Sequence, residues 1–166
     1  MFCINSIKQQ DISLINILLD ETFGGDRLGK TAYRLRDGVP AVQELSFVVR
    51  SDGGLKASLQ FWPIEIQDGD RSASALLLGP IAVAKDCRGQ RMGLKLMEHG
   101  LETARKLGYQ RVILVGDQSY YQKVGFSRSL AVGLEMPGPV NKDRLLAQEL
   151  VPGAMNGIKG MISKIK

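Results

Sequence analysis

The segment whose residue types and spacing point most directly to chemistry is Lys85-Asp86-Cys87-Arg88-Gly89-Gln90-Arg91-Met92-Gly93. An apolar run precedes it and an amphipathic helical pattern follows it. A strand that feeds a glycine-containing loop at a helix N-terminus builds an anion site, because the first-turn amides lack partners and the helix dipole is positive there. Gly89 and Gly93 allow close backbone approach, and Arg88 and Arg91 add charge-assisted donors. A pyrophosphate is the natural guest. On these physics alone an ordinary strand-to-helix turn with solvated arginines fits as well. The Gly-Lys-Ser/Thr ending of a Walker loop is missing, and G-x-G-x-x-G cannot be read here. The single histidine, His99, falls outside the apolar stripe of the helix and reads as a surface residue. Cys87 adjoins the loop without a partner base.

The elements that must position this segment follow from hydrophobic period. Ala75 to Ala84 is apolar on successive residues, as a central strand buried on both faces should be. From Gly93 to Leu107, apolar or small residues at 93, 96, 97, 100, 101, 104 and 107 form one helical stripe, with Gly108 as C-cap. Arg111 to Val115 reads as another buried strand, and Gln118 to Val124 as a short helix ending at Gly125. Residues 126 to 136 read as extended, and a further strand is expected near Leu145 to Leu150.

Upstream, residues 2 to 7 read as a first strand. Asp11 is placed to N-cap a helix carrying Ile12, Ile15, Leu18 and Leu19. A second helix is expected from Arg27 to Arg36. Leu45 to Val49 and Leu55 to Ile66 form a hairpin about Ser51-Asp52-Gly53-Gly54, and Gln67-Asp68-Gly69-Asp70 is a second turn. The order predicts a single-domain α/β fold over residues 1–152, with a mixed, mostly antiparallel sheet flanked by helices. In the remaining tail, 153–166, Ile158, Met161, Ile162 and Ile165 stand at helical spacing. That predicts a helical or frayed end.

Composition narrows the function classes. A chain of 166 residues fits one domain with a real core. Twenty-two Lys and Arg against 17 Asp and Glu give a net charge of +5. That suits phosphate ligands but, without a basic block, does not argue for nucleic acid. Two cysteines, Cys3 and Cys87, make no disulfide framework and read as reduced thiols. No apolar run reaches membrane-spanning length, and residues 1 to 5 do not resemble a signal peptide. A cytoplasmic protein without metal, nucleic-acid or membrane partner is expected.

Two segments then resemble a known family. Leu78 to Val83 followed by Arg88-Gly89-Gln90-Arg91-Met92-Gly93 resembles the acetyl-CoA motif of the GNAT N-acetyltransferase superfamily, Q/R-x-x-G-x-G/A. Arg88 and Gly93 match its ends, and Arg91 replaces its middle glycine. Gly116 to Phe126 resembles the later segment A-x-x-F-Y-x-K-x-G-F, with Tyr121 at the aligned tyrosine. The Thr31 to Arg36 leader and the Gly116-Asp117-x-x-Tyr120-Tyr121 segment resemble one bacterial branch of predicted acetyltransferases.

The resemblance implies an acyl-CoA-dependent N-acyltransferase whose donor is acetyl-CoA or another acyl-CoA. It implies that the pantetheine arm lies along Ile81, Ala82 and Val83, pairing with Ile81 and Val83, where strand 76–84 splays from strand 111–115. It places the pyrophosphate over Arg88, Gly89, Gln90, Arg91, Met92 and Gly93. Tyr121 is the implied proton donor to the departing sulfur, with Tyr120 the weaker choice. Many relatives carry a basic carboxylate on the strand before the motif. Gly79 and Pro80 fill that region here, so Glu44, or water, stands as the base. The acceptor is an amine of a small molecule or protein, bordered by segment 27–36 and the hairpin tip at 51–54; a homodimer is left open. The alternatives are a non-catalytic acyl-CoA-binding regulatory module and an acyltransferase fed by acyl carrier protein.

Overall fold

The computed structural model describes residues 3–24, 30–51 and 54–165. Among them the chain forms β1 (Cys3–Ser6), α1 (Ile12–Phe23), α2 (Thr31–Arg34), β2 (Phe47–Ser51), β3 (Gly54–Asp68), β4 (Arg71–Val83), α3 (Met92–Lys106), β5 (Arg111–Val115), α4 (Gln118–Tyr121), β6 (Leu134–Glu135), β7 (Leu145–Glu149) and β8 (Gly160–Lys164). One sheet runs in the order β1-β2-β3-β4-β5-β7, and β8 pairs with β3 and β6 off that path. Its pairs are antiparallel except β4 with β5 and β6 with β8. The fold is the expected mixed, mostly antiparallel sheet flanked by helices.

The apolar runs behave as central strands. Leu76 and Leu78 pack in the cluster beneath α3, while Ala75 and Leu77 pack in the cluster on the other face. Val112 and Leu114 divide from Ile113 in the same way. A period of two in a strand whose every residue is apolar demands this double burial. Helix α3 lies close on β3 because Gly100 admits it: a Cβ there would stand 2.7 Å from the Phe61 ring. Ile15, Leu18 and Leu19 of α1 cover Val48 and Ala82 on the opposite face.

Several expectations need correction. The Asp11 carboxylate turns back to accept from the Lys8 amide at 2.8 Å and pairs with Arg50, so it ties α1 to β2 rather than capping the helix ahead of it. Of the helix expected over 27–36, residues 27–29 lie outside the described residues, and the described part is the single turn α2. The hairpin tip at 52–53 and residue 2 of the first strand also lie outside them. Leu107 is half exposed beyond the end of α3. The stretch 126–136 is not extended: a 3₁₀ turn at Ser129–Ala131 precedes the two-residue β6.

The tail is a strand, not a helix. Ile162 is fully buried against β3, and β8 extends the β3 edge beside Ile64–Gln67. Gly160 explains the choice. Its φ is +124°, and a Cβ there would stand 2.0 Å from the Gln67 carbonyl oxygen, an approach that no other residue permits. Helical spacing of four apolar residues loses to a backbone geometry that only glycine can satisfy.

Candidate active site

The site begins where β4 leaves its neighbour. β4 pairs with β5 only at Leu76–Val112 and Leu77–Ile113. Beyond that point β5 keeps pairing with β7 on its far side, and β4 continues alone along β3. A bulge marks the departure. Leu59 faces Ile81 and Phe61 faces Leu78, so Gly79 and Pro80 together oppose the single residue Gln60. The Trp62 indole N–H donates to the Gly79 carbonyl at 2.7 Å and fixes the bulge. The Gly-Pro pair that displaces the carboxylate of many relatives is thus the bend that opens the sheet.

Past the bulge the free edge of β4 can be assigned by alternation. The Ala84 amide donates to Lys56 on β3 at 2.7 Å. In an antiparallel ladder, hydrogen-bonded residues alternate, so Ala82 faces β3 while the amides and carbonyls of Ile81 and Val83 face the gap. The Arg88 guanidinium confirms the direction by donating to the Val83 carbonyl at 3.3 Å.

The loop after β4 makes a 3₁₀ turn at Lys85–Cys87, pinned by a 2.9 Å ion pair between Lys56 and Asp86. Arg91, at φ 60° and ψ 18°, caps α3 in the left-handed region, and no side chain caps the helix. The first-turn amides of α3 therefore have no side-chain cap, as an anion site requires. Arg91 pays in backbone strain for standing where the family places a glycine. Cys87 is buried beside this loop, and burial, aided by Asp86, pushes its thiol up, so it is a poor nucleophile.

Two cavities open at the splay. A cleft of about 540 Å³ is lined by Ile81, Val83, Arg88, Gly89, Arg91, Met92 and Gly93, with Tyr120, Tyr121 and Lys123 opposite. A larger cavity of about 670 Å³ is lined by parts of residues 30–36, by Leu77 to Ile81, by Leu114 and Val115, and by residues between Met136 and Arg144. Phe23, Ile81 and Tyr121 line both. Ala82 and Gln90 line neither.

Tyr121 is set by α4 and by glycine. A Cβ on Gly116 would stand 2.2 Å from the Tyr121 ring, so this residue must lack a side chain for the ring to lie as it does. The ring meets Tyr120 edge-on at 4.9 Å and Phe126 at 6.4 Å. Burial pushes the Tyr121 phenol up to about 12, with Tyr120 and Asp117 adding to the rise and Arg144 opposing it. Burial also raises Tyr120, which stays in the smaller cleft. Its hydroxyl would lie 2.8 Å from a Cβ on Gly93, which couples the helix start to the tyrosine pair.

Glu44 is not brought to the site. It is exposed on the 3₁₀ turn before β2 and lines neither cavity. His99 is exposed on α3 and meets Phe47 edge-on at 4.9 Å. Segment 27–36, expected from the resemblance to border the acceptor site, contains Lys30 and Arg36, and Gly116 opens a segment that carries the resemblance, but none of these is singled out by the sequence as a site residue, and nothing marks Arg144. Arg36 also ends the Thr31–Arg36 segment that resembles a branch of relatives. Its guanidinium stacks over the Tyr33 ring at 4.4 Å in the wall of the larger cavity.

Residues 43–128 match the family model of the acetyltransferase (GNAT) domain. The N-acetyltransferase YhbS of Escherichia coli K12 is 27% identical over 149 residues, spanning 89% of this chain and 87% of its own. YjhQ, an N-acetyltransferase of the same strain, is 26% identical over 125 residues, 75% of this chain and 69% of its own. The crystal structure of E. coli YhbS in complex with CoA superposes at a TM-score of 0.83, with 25% identity, over 99% of this chain and 89% of that one. A GNAT acetyltransferase from Brucella melitensis, in complex with acetyl-CoA, shares the fold at a TM-score of 0.71 and 22% identity, over 98% and 95% of the two chains. The chain belongs to the GNAT acetyltransferase family, and its reaction is acyl-CoA-dependent N-acyl transfer.

Proposed function

We propose that the smaller cleft takes acetyl-CoA and the larger cavity takes the acceptor amine, with Tyr121 serving both. The observation that carries this reading is the shared lining: Tyr121 and Ile81 belong to both cavities, so a thioester held on the β4 edge meets an amine beside one phenol. Solved relatives hold CoA and acetyl-CoA. In this chain the free edge at Ile81 and Val83 matches the pantetheine amides as a neighbouring strand would. The amides from Gly89 to Gly93, with Arg88 and Arg91, match the pyrophosphate.

The amine nitrogen attacks the thioester carbonyl, forming C–N and breaking C–S, and the amine proton passes to water. Among the described residues, no carboxylate lines either cavity, which favours water over Glu44 as the acceptor of that proton. A thiol ionises near 8.5, so a phenol at about 12 serves the departing sulfur as a hydrogen-bond donor, and solvent completes its protonation. Reliance on a dissolved acetyl-CoA pool supports the reading of a cytoplasmic protein. No described helix is long and apolar enough to cross a membrane.

Calorimetry with acetyl-CoA tests the donor half. Micromolar affinity is expected, and Arg88→Ala should weaken it about tenfold, the loss of one charge-assisted hydrogen bond. An unchanged affinity would move the pyrophosphate elsewhere.

A further inference from the structure

We propose that the acceptor is a small amine bearing an anionic group, a carboxylate or a phosphate, held by the arginines of the larger cavity. This rests on the reading of that cavity as the acceptor site and adds the substrate class. Among the described lining residues, Lys30, Arg34, Arg36 and Arg144 are cationic and none is acidic. Asp117 pairs with Arg144 at 2.8 Å from outside the lining. A solvated surface explains exposed arginines, but Arg36 is only 8% exposed, and its guanidinium carbon lies 4.4 Å from the centre of the Tyr33 ring. Arg34 is held as well: it donates to the Thr31 hydroxyl at 3.0 Å, and that hydroxyl donates to the Pro139 carbonyl at 2.8 Å. Guanidiniums oriented by such contacts lose little freedom on gripping a planar or tetrahedral anion.

The rest of the wall limits the guest further. Leu77, Leu78, Met136 and Val140 provide apolar surface. The cavity is of a size for a metabolite rather than a folded surface. The guest is thus a compact amine with an apolar stretch, its nitrogen at Tyr121 and Ile81 and its anion toward Arg34 and Arg36. The same charges help the chemistry. A cationic wall disfavours an ammonium ion, so the bound amine loses its proton more readily. That accounts for a site able to work without a carboxylate base. Polyamines, which carry several positive charges, are excluded by the same field.

The test pairs amines that differ only in the anion. Ethanolamine is set against phosphoethanolamine, and butylamine against γ-aminobutyrate, with spermidine as the cationic extreme. Thiol release is measured with saturating acetyl-CoA, and binding to the CoA-loaded protein is measured by calorimetry. In at least one pair the anionic member should exceed its neutral partner by at least about tenfold in kcat/KM or affinity, the worth of one charge-assisted contact. Arg36→Gln should erase that preference. Arg144→Ala, at an exposed position that tolerates change, should reduce it even if Arg36→Gln fails to fold. In both variants acetyl-CoA affinity should hold.

Neutral amines or spermidine used as well as the anionic members would overturn the proposal. So would failure of every anionic member to bind or react while acetyl-CoA binds. Failure of acetyl-CoA itself to bind would instead overturn the reading of the two cavities. Preference for acidic peptide N-termini over all the small amines would reject the small-molecule class.

Discussion

The cleft proposed for the donor and the cavity proposed for the acceptor share Phe23, Ile81 and Tyr121, yet they are assembled differently. The donor cleft is lined mostly by one stretch of chain, from the β4 edge through the loop to the first turn of α3, with Thr22 and Phe23 of α1 and Tyr120, Tyr121 and Lys123 completing it. Its functional groups are mostly backbone amides and carbonyls, positioned by strand and helix geometry. The acceptor cavity draws on separate segments around residues 31–36, 77–81, 114–115, 121 and 136–144. Its functional groups are side chains, brought together by tertiary packing alone. A site made of backbone is portable between sequences, whereas one made of scattered side chains can vary without disturbing it.

Predictions can break that division. The largest effect is expected from Gly93→Asp, which puts negative charge against the pyrophosphate. Acetyl-CoA affinity should fall about a hundredfold or more by calorimetry, with a smaller loss of thermal stability because the new Cβ would press on the Tyr120 hydroxyl 2.8 Å away. Retained affinity would mean that the helix start does not hold the donor.

Gly116→Ala comes next. Its methyl must push the Tyr121 ring aside, so turnover should drop about tenfold with acetyl-CoA affinity unchanged, as expected when a catalytic donor is misplaced. Equal losses in both would show that the Tyr121 ring holds the donor rather than acting only in the chemical step.

A quieter effect concerns pH. Because burial holds the Tyr121 phenol at about 12, it stays protonated across the ordinary range. The rate should rise as the amine deprotonates and should not turn down before about pH 10. A descending limb near pH 8 to 9 would assign the donor to another group.

The smallest effect belongs to Arg91→Gly. Relief of the left-handed φ of 60° should raise stability by about 1 kcal/mol in urea unfolding, while acetyl-CoA affinity slips a few-fold with the lost guanidinium. A destabilised variant would show that the arginine side chain, not its backbone, organises the loop.

The same contrast explains what could be read in the sequence. Leu76 to Val83, the Arg88–Gly93 loop and the stripe on α3 are contiguous, so period and glycine placement reveal both the elements and their anion-binding end. Resemblance points to Tyr121 and includes Gly116 in the same segment, but only the structure shows that Gly116 must lack a side chain for the ring to lie where it does. Arg36 and Arg144 are more than a hundred positions apart in chain, and only the packing of the 136–144 segment against residues 31–36 unites them. Glu44 stands next to a predicted strand, yet a strand-end position does not decide which way a 3₁₀ turn presents it, and the turn leaves it exposed. Strand β8 escaped because its pairing partner, β3, lies some hundred residues upstream, and its apolar spacing mimics a helix.

The central claim is that Tyr121 acts in the chemical step at the junction of two otherwise separate cavities. Tyr121→Phe keeps the ring and removes one hydroxyl, and one sample can report both quantities. Acetyl-CoA affinity by calorimetry should stay within about twofold of the parent. Turnover by thiol release should fall about 10²- to 10³-fold, the usual loss when a donor to developing charge is removed, with Tyr120→Phe the milder change. Undiminished turnover, or turnover and affinity falling together, would contradict the account.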